Sequence, residues 1–247
     1  MQIDIFDQER NAILAAPTYA EFAERLRAYN CRRCELADSR THIVVDRGNP
    51  EAPLLVISER PGENEDATGL AFVGRAGEML DKILASIGLD SNRDALIVNV
   101  AKCKPAIDRS PTSAEAEACL PYLERQIELV RPRVVLLLGA VALKWIDPAR
   151  GEFTMEEEAG RFFTLKRYPG IQFMVLYHPA FLLRDPTKKR IMWEHMKLLR
   201  DFLRSAATTV AGGDATTAAT VTATAATVTA AAGDAAAAPA LEWTHHG

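Results

Sequence analysis

Four short apolar runs constrain this chain more than anything else in it. They are PLLVIS at 53–58, ALIVNV at 95–100, RVVLLLG at 133–139 and IQFMVLY at 171–177. Each is rich in β-branched or aliphatic residues and apolar on both faces, the pattern of a parallel strand covered on both sides. Between them the period changes from two to about three and a half. Residues 75–87 carry Met79, Leu80, Ile83, Leu84 and Ile87 on one stripe, and 113–130 carry Leu120, Leu123, Ile127 and Val130. Ser113, just after Pro111, is expected to cap the second of these helices. A last helix is expected over 187–203. Strand alternating with helix predicts an α/β fold: a central four-stranded, mainly parallel sheet flanked by helices on both faces.

The expected domain spans 1–204. Beyond it, 205–247 is dominated by Ala and Thr with scattered Gly, lacks an amphipathic period and is expected to be a disordered tail. The charge follows the same division. The chain has 29 Lys and Arg against 33 Asp and Glu. Only Asp214, Asp234 and Glu242 of the acids lie in the tail, so the body is close to neutral. That excludes a strongly basic nucleic-acid binder but leaves room for a local basic patch. No apolar run approaches the roughly 20 residues that cross a bilayer. The opening MQIDIFDQER has acids and no basic-plus-apolar leader, so no secretory signal is expected and the protein is expected in the cytoplasm, without membrane contact. No sustained heptad marks a coiled coil, and a monomer is expected.

In open α/β sheets, ligands bind beyond the carboxyl ends of the strands. Here those ends are Ser58-Glu59-Arg60-Pro61-Gly62, Asn99, Gly139 and His178-Pro179. Three of the four bring a side chain able to do acid–base or hydrogen-bonding chemistry. The four cysteines form a second constellation. Cys31 and Cys34 make a C-x-x-C, Cys103 follows the second strand, and Cys119 lies in the helix after it. Four thiolates suit zinc or an iron–sulfur cluster. The wide split between the last two departs from the paired spacing of a zinc ribbon.

Taken in order, the motifs resemble the family 4 uracil-DNA glycosylases, the iron–sulfur branch of that superfamily. The resemblance runs from about Cys31 to Leu203. It rests on C-x-x-C (31–34), E-x-P-G-x-x-E-D (59–66), G-x-x-F-V-G-R-A-G (69–77), N-V-x-K-C-x-P (99–105), Cys119, LLLGA (136–140) and H-P-x-x-L-L-R (178–184). It implies a [4Fe–4S] cluster on Cys31, Cys34, Cys103 and Cys119, and excision of uracil from single- or double-stranded DNA. The cluster is expected to be structural, tying the C-x-x-C segment to the second strand and the helix of Cys119.

The chemistry asks for parts that the matching residues can supply. A base must leave the stack before its glycosidic bond is broken. Asn99 offers a donor and an acceptor for the uracil edge. Phe72, among glycines 69, 74 and 77, suits a stacking platform, and Arg60 and Gly62 stand beside the base. His178 suits a donor to the departing anion, and Glu59 suits the water and the cationic sugar. Leu182 suits a wedge into the duplex. Arg184, Lys188, Lys189 and Arg190 are expected on phosphates, and Arg75, Lys102, Lys104 and Arg109, beside the other motifs, are expected in the same DNA-binding basic cluster. Glu65 and Asp66 are read as loop supports, water binders or solvated acids. His195, on the last helix, is expected at the surface.

The chain also departs from the family pattern. Its first motif usually reads G-E-[AG]-P-G, and here Ser58 and Arg60 replace two small residues. Arg60 can pair with Glu59, touch a phosphate or reach the base. Ala180 replaces the serine of H-P-S. No histidine lies between His42 and His178, which disfavours the covalent mechanism of one superfamily relative, and no lysine stands out for strand cleavage. The expected activity is therefore monofunctional, with water as the nucleophile. The alternatives are a glycosylase for another deaminated base such as hypoxanthine or xanthine, a damage-binding protein with little catalysis, and an electron carrier built on the cluster.

Overall fold

The structure is a computed structural model, and it describes residues 5–211. Six strands form one sheet: β1 (Arg47–Gly48), β2 (Leu54–Ser58), β3 (Ala95–Asn99), β4 (Val134–Leu138), β5 (Phe162–Thr164) and β6 (Gln172–Leu176). Their spatial order is β1-β3-β2-β4-β6-β5. The four strands expected from sequence are the parallel centre, in the register Ser58↔Asn99 and Leu54↔Val134. The two short edge strands pair antiparallel to β3 and β6.

The helices are α1 (Ile5–Leu14), α2 (Tyr19–Ala28), α3 (Glu63–Thr68), α4 (Arg75–Ala85), α5 (Ser113–Val130), α6 (Gly139–Ile146), α7 (Met155–Glu158), α8 (Pro179–Arg184) and α9 (Lys189–Ala211). Alternate strand residues point to opposite layers, as the two-residue period requires. Leu54, Val56, Ile97, Leu136 and Met174 pack with Leu80 and Leu84 of α4 and Met192, Met196 and Leu199 of α9. Leu55, Ile57, Leu96, Val135 and Phe173 pack with Leu123 and Ile127 of α5 and Leu143 of α6. A third apolar cluster joins Ile13 of α1 and Phe22 and Leu26 of α2 to Leu36, Val45, Cys103 and Tyr122, with Cys31 and Cys34 against it.

Three local expectations change. The cap of α5 is Thr112, whose hydroxyl accepts the Glu115 N–H while the Glu115 carboxylate accepts the Thr112 N–H. Ser113 is the first helical residue. The last helix begins at Lys189 and continues past the expected domain edge at 204 to Ala211. The rest of the expected tail, 212–247, lies outside the described residues. No helix among the described residues is long and apolar enough to cross a membrane.

Candidate active site

From β2 the chain turns to β3 on one side and then to β4 on the other, so the strand order reverses at β2. That is where an open α/β sheet leaves a crevice beyond its strand ends. A cavity of about 430 Å³ lies there, lined among others by Glu59, Arg60, Gly62, Phe72, Asn99, Gly139, His178 and Arg184. Residues from four separate stretches of sequence are thus gathered at one place.

Asn99 closes β3 and is 1% exposed. Both Oδ1 and Nδ2 of its amide are buried without a hydrogen-bond partner. Leaving such a group unsatisfied costs about 1–3 kcal/mol, and buried amides are otherwise almost always paired. Its backbone is anchored nonetheless. Lys102 Nζ donates to the Asn99 carbonyl at 2.6 Å and to Gln126 Oε1 at 2.5 Å. Lys102 is itself 1% exposed, so it is not part of the DNA-binding basic cluster expected from sequence.

Phe72 forms the wall near His178, with ring centroids 5.9 Å apart. Its φ is +55°, a left-handed conformation that a bulky residue takes only when its surroundings impose it. Glu65 imposes it. One carboxylate oxygen accepts the Gly62 N–H at 3.0 Å, and the other accepts the N–H groups of Val73 and Gly74 at 2.9 Å. Of the roles open to Glu65, loop support is the one its contacts give. Asp66 does the same for the neighbouring segment, accepting the Thr41 and His42 N–H groups. Gly62 lines the cavity, and a Cβ there would lie 2.6 Å from Glu65 Oε2.

His178 follows β6 and caps α8. Its Nδ1 accepts the Ala180 N–H at 3.1 Å, which leaves the ring proton on Nε2. Nε2 stands 2.9 Å from Ser58 Oγ and donates to it. Burial, aided by the positive charges of Arg184 and Arg60, pushes the imidazole pKa down to about 4, so the ring is neutral at physiological pH. The Glu59 carboxylate lines the cavity and has no ion-pair partner among the described residues.

Arg60 does not pair with Glu59. Its Nε donates to the Arg109 carbonyl at 2.7 Å, Nη1 to the Pro61 carbonyl at 2.9 Å, and Nη2 to the Asp108 carboxylate. Arg109 in turn grips both oxygens of Glu115 at 2.7 Å. Arg60 therefore fixes the 104–112 loop at the rim, where Ile107 is 68% exposed. Leu182, by contrast, is 1% exposed in the core beneath α8, which corrects the expectation of a wedge there. Arg75 and Arg184 are exposed and make no ion pair among the described residues. Lys188 pairs with Glu156 at 3.4 Å, and Lys104 with Glu63 at 2.8 Å. His195 is buried, not on the surface, stacked against Tyr177 with centroids 6.3 Å apart.

The four cysteines are free thiols. Among the described residues, no group of three or more His, Cys, Asp or Glu side chains forms a metal-ion site. The thiols are nevertheless mutual electrostatic neighbours. Burial raises the pKa of Cys103, and the charges of Cys119, Cys34 and Cys31 raise it further. Burial pushes Cys119 up to about 11, against the Lys102 N–H that donates to it. Four free thiols, three of them at one apolar cluster, supply the donor type and number that an iron–sulfur cluster takes.

A family model described as "Uracil DNA glycosylase superfamily" matches residues 45–200, which hold every cavity residue named above. A type-4 uracil-DNA glycosylase of Sulfurisphaera tokodaii is 36% identical over 177 residues, covering 70% of this chain and 80% of that protein. One of Archaeoglobus fulgidus is 39% identical over 160 residues, covering 64% and 80%. One of Thermotoga maritima is 35% identical over 180 residues, covering 72% and 92%. A parallel sheet whose strand ends gather an unsatisfied amide, a constrained aromatic, a neutral imidazole and an unpaired carboxylate is thus matched along most of its length, and the chain belongs to the uracil-DNA glycosylase superfamily.

Proposed function

We propose that this protein is a DNA repair glycosylase that hydrolyses the bond between uracil and deoxyribose and leaves an abasic site. The observation that carries this reading is the Asn99 amide, buried at the cavity with donor and acceptor both unmet. A uracil edge presents the complementary pair, O4 as acceptor and N3–H as donor. The flipped base would stack on Phe72, whose backbone is already held in its strained conformation.

As the bond from C1′ to N1 breaks, its electron pair goes to the base, and negative charge develops there. The neutral His178 can meet that charge with its one N–H. A donor placed for the transition state is typically worth about 100- to 1000-fold in rate. Glu59 offsets the positive charge on the sugar and orients the water that attacks C1′. The water's oxygen ends on C1′, and one of its protons reaches the departing base. Arg184 at the cavity and Arg75 beside the lining Ala76 are exposed cations with no ion pair among the described residues, suited to phosphates flanking the flipped nucleotide. Ile107, not Leu182, is the exposed apolar side chain suited to fill the gap in a duplex.

Cys31, Cys34, Cys103 and Cys119 would hold a [4Fe–4S] cluster, which supplies a covalent cross-link among three segments and no step of the excision. The protein acts as a monomer on DNA in the cytoplasm. A base preference shifted by Arg60 is not favoured, because its donors are occupied by residues 61, 108 and 109. The reading is tested with end-labelled single- and double-stranded oligonucleotides carrying one uracil, treated with hot alkali after incubation. Cleavage at the uracil supports it. Intact uracil strands, with cleavage at hypoxanthine or xanthine, would replace it by the second substrate class.

A further inference from the structure

His178 has one proton to give, and the free protein has already committed it. Nδ1 is occupied by the Ala180 N–H at 3.1 Å, so the ring carries its proton on Nε2, and that proton points to Ser58 Oγ at 2.9 Å. Ser58 is fully buried, ends β2, and stands in register with Asn99 on β3. A hydroxyl is both donor and acceptor, so it can take this N–H. It is therefore a built-in competitor for the bond that the departing base needs.

We propose that Ser58 is a positioning residue that holds the His178 N–H out of ground-state binding and yields it only to a base carrying negative charge. This rests on the functional reading above. Before bond cleavage the base carbonyl is neutral, and exchanging a hydroxyl acceptor for it gains little. As the bond breaks, the carbonyl oxygen becomes an anionic acceptor, to which hydrogen bonds are about twice as strong. The N–H then leaves Ser58 for the base. The donor thus contributes to the transition state and little to the binding of substrate or released uracil, which is the differential binding that raises turnover. The same bond holds the imidazole in the Nε2–H tautomer between substrates.

Replacing Ser58 by Ala removes the competitor and leaves the strand intact. The freed N–H would then bind neutral carbonyl groups. KM and the inhibition constant of free uracil should both fall, by about 2- to 10-fold, the worth of one ordinary hydrogen bond. Turnover at saturation should fall by a similar factor, because the bond is then made in the ground state as well as in the transition state. An accompanying ¹⁵N NMR experiment reads the bond without catalysis. The wild-type protein should give a slowly exchanging His178 Nε2–H resonance, assigned by its absence in His178→Gln, and Ser58→Ala should lose that protection. Unchanged uracil inhibition, or turnover that falls at least tenfold with KM unchanged, would overturn the proposal, as would an unprotected Nε2–H in the wild type. Should the wild type excise no uracil, the functional reading fails, while the NMR comparison still decides whether Ser58 holds the proton.

Discussion

Gly77 sits so close to Phe72 that a Cβ built on it would lie 1.8 Å from the Phe72 carbonyl oxygen. The obstacle is backbone, so it cannot swing aside. The first turn of α4 thereby presses the 62–77 loop into place, and Phe72 keeps its φ of +55°. Gly77→Ala must displace Phe72 or the start of α4. Overpacking of this kind costs about 1–3 kcal/mol, so the variant should melt several degrees lower. Excision should drop at least tenfold even at temperatures where the protein stays folded, as circular dichroism and initial rates would reveal.

Asn99→Asp exchanges an amide donor for a second acceptor. A carboxylate suits the N4 amino group of cytosine and repels O4 of uracil. Relative excision of uracil over cytosine should fall by at least tenfold, about the 1–3 kcal/mol of one paired contact. Competition between the two substrates in one tube measures it.

The buried imidazoles make stability sensitive to acid. Above pH of about 6.5, folded and unfolded chains both carry a neutral His178. Between there and about 4, the unfolded chain binds a proton that the folded one refuses. Stability therefore falls as pH falls through that window and levels off below it, by a total on the order of 3 kcal/mol. Burial lowers the pKa of His195 as well, which adds to the loss in the same direction. Urea unfolding at pH 7.5 and pH 5 should show a smaller difference in His178→Gln than in the wild type. Excision should likewise keep its rate down to about pH 5, with no acid limb near 6.5.

Ile107 separates duplex from single strand. Only a duplex has a gap to fill when the base leaves. Ile107→Ala should slow excision from double-stranded DNA by roughly 10-fold, a loss of about 1–2 kcal/mol of apolar contact, and leave single-stranded excision near wild type. Equal loss on both substrates would remove Ile107 from the duplex and make it a support of the loop.

The cysteine account predicts brown protein with about four irons per chain. Cys119→Ala should lose the iron and the colour and melt lower, because the third apolar cluster loses its cross-link. Colourless wild-type protein, stable and active without iron, would contradict it.

The central sheet was legible because each of its four strands is apolar on both faces, a pattern that few other structures tolerate. Its edges were not, since β1 and β5 are two and three residues long and half exposed. The N-terminal helices went unread, although Thr18 caps α2 and Phe22, Ala23 and Leu26 share one face. Glu59, Asn99, Gly139 and His178 were legible because they sit at strand ends. Leu182, His195 and Lys102 were misread for one reason, that residue type stood in for position. Met192, His195, Met196 and Leu199 recur at helical spacing on one stripe of α9, a signal that places His195 inside. Nothing in the local sequence announces that Lys102 meets Gln126 and the Asn99 carbonyl, contacts made only when α5 packs on the sheet. The roles of Ser58 and Arg60 likewise depend on partners 120 and 48 residues away.

The most direct test measures single-turnover release of uracil from a single-stranded oligonucleotide by the wild type, Asn99→Ala and His178→Ala. Free uracil and an unbroken strand with one abasic site are expected from the wild type. Rates lower by at least 100-fold are expected in both variants, with the folds intact. Uracil release that survives the loss of Asn99 and of His178 would remove both residues from the reaction.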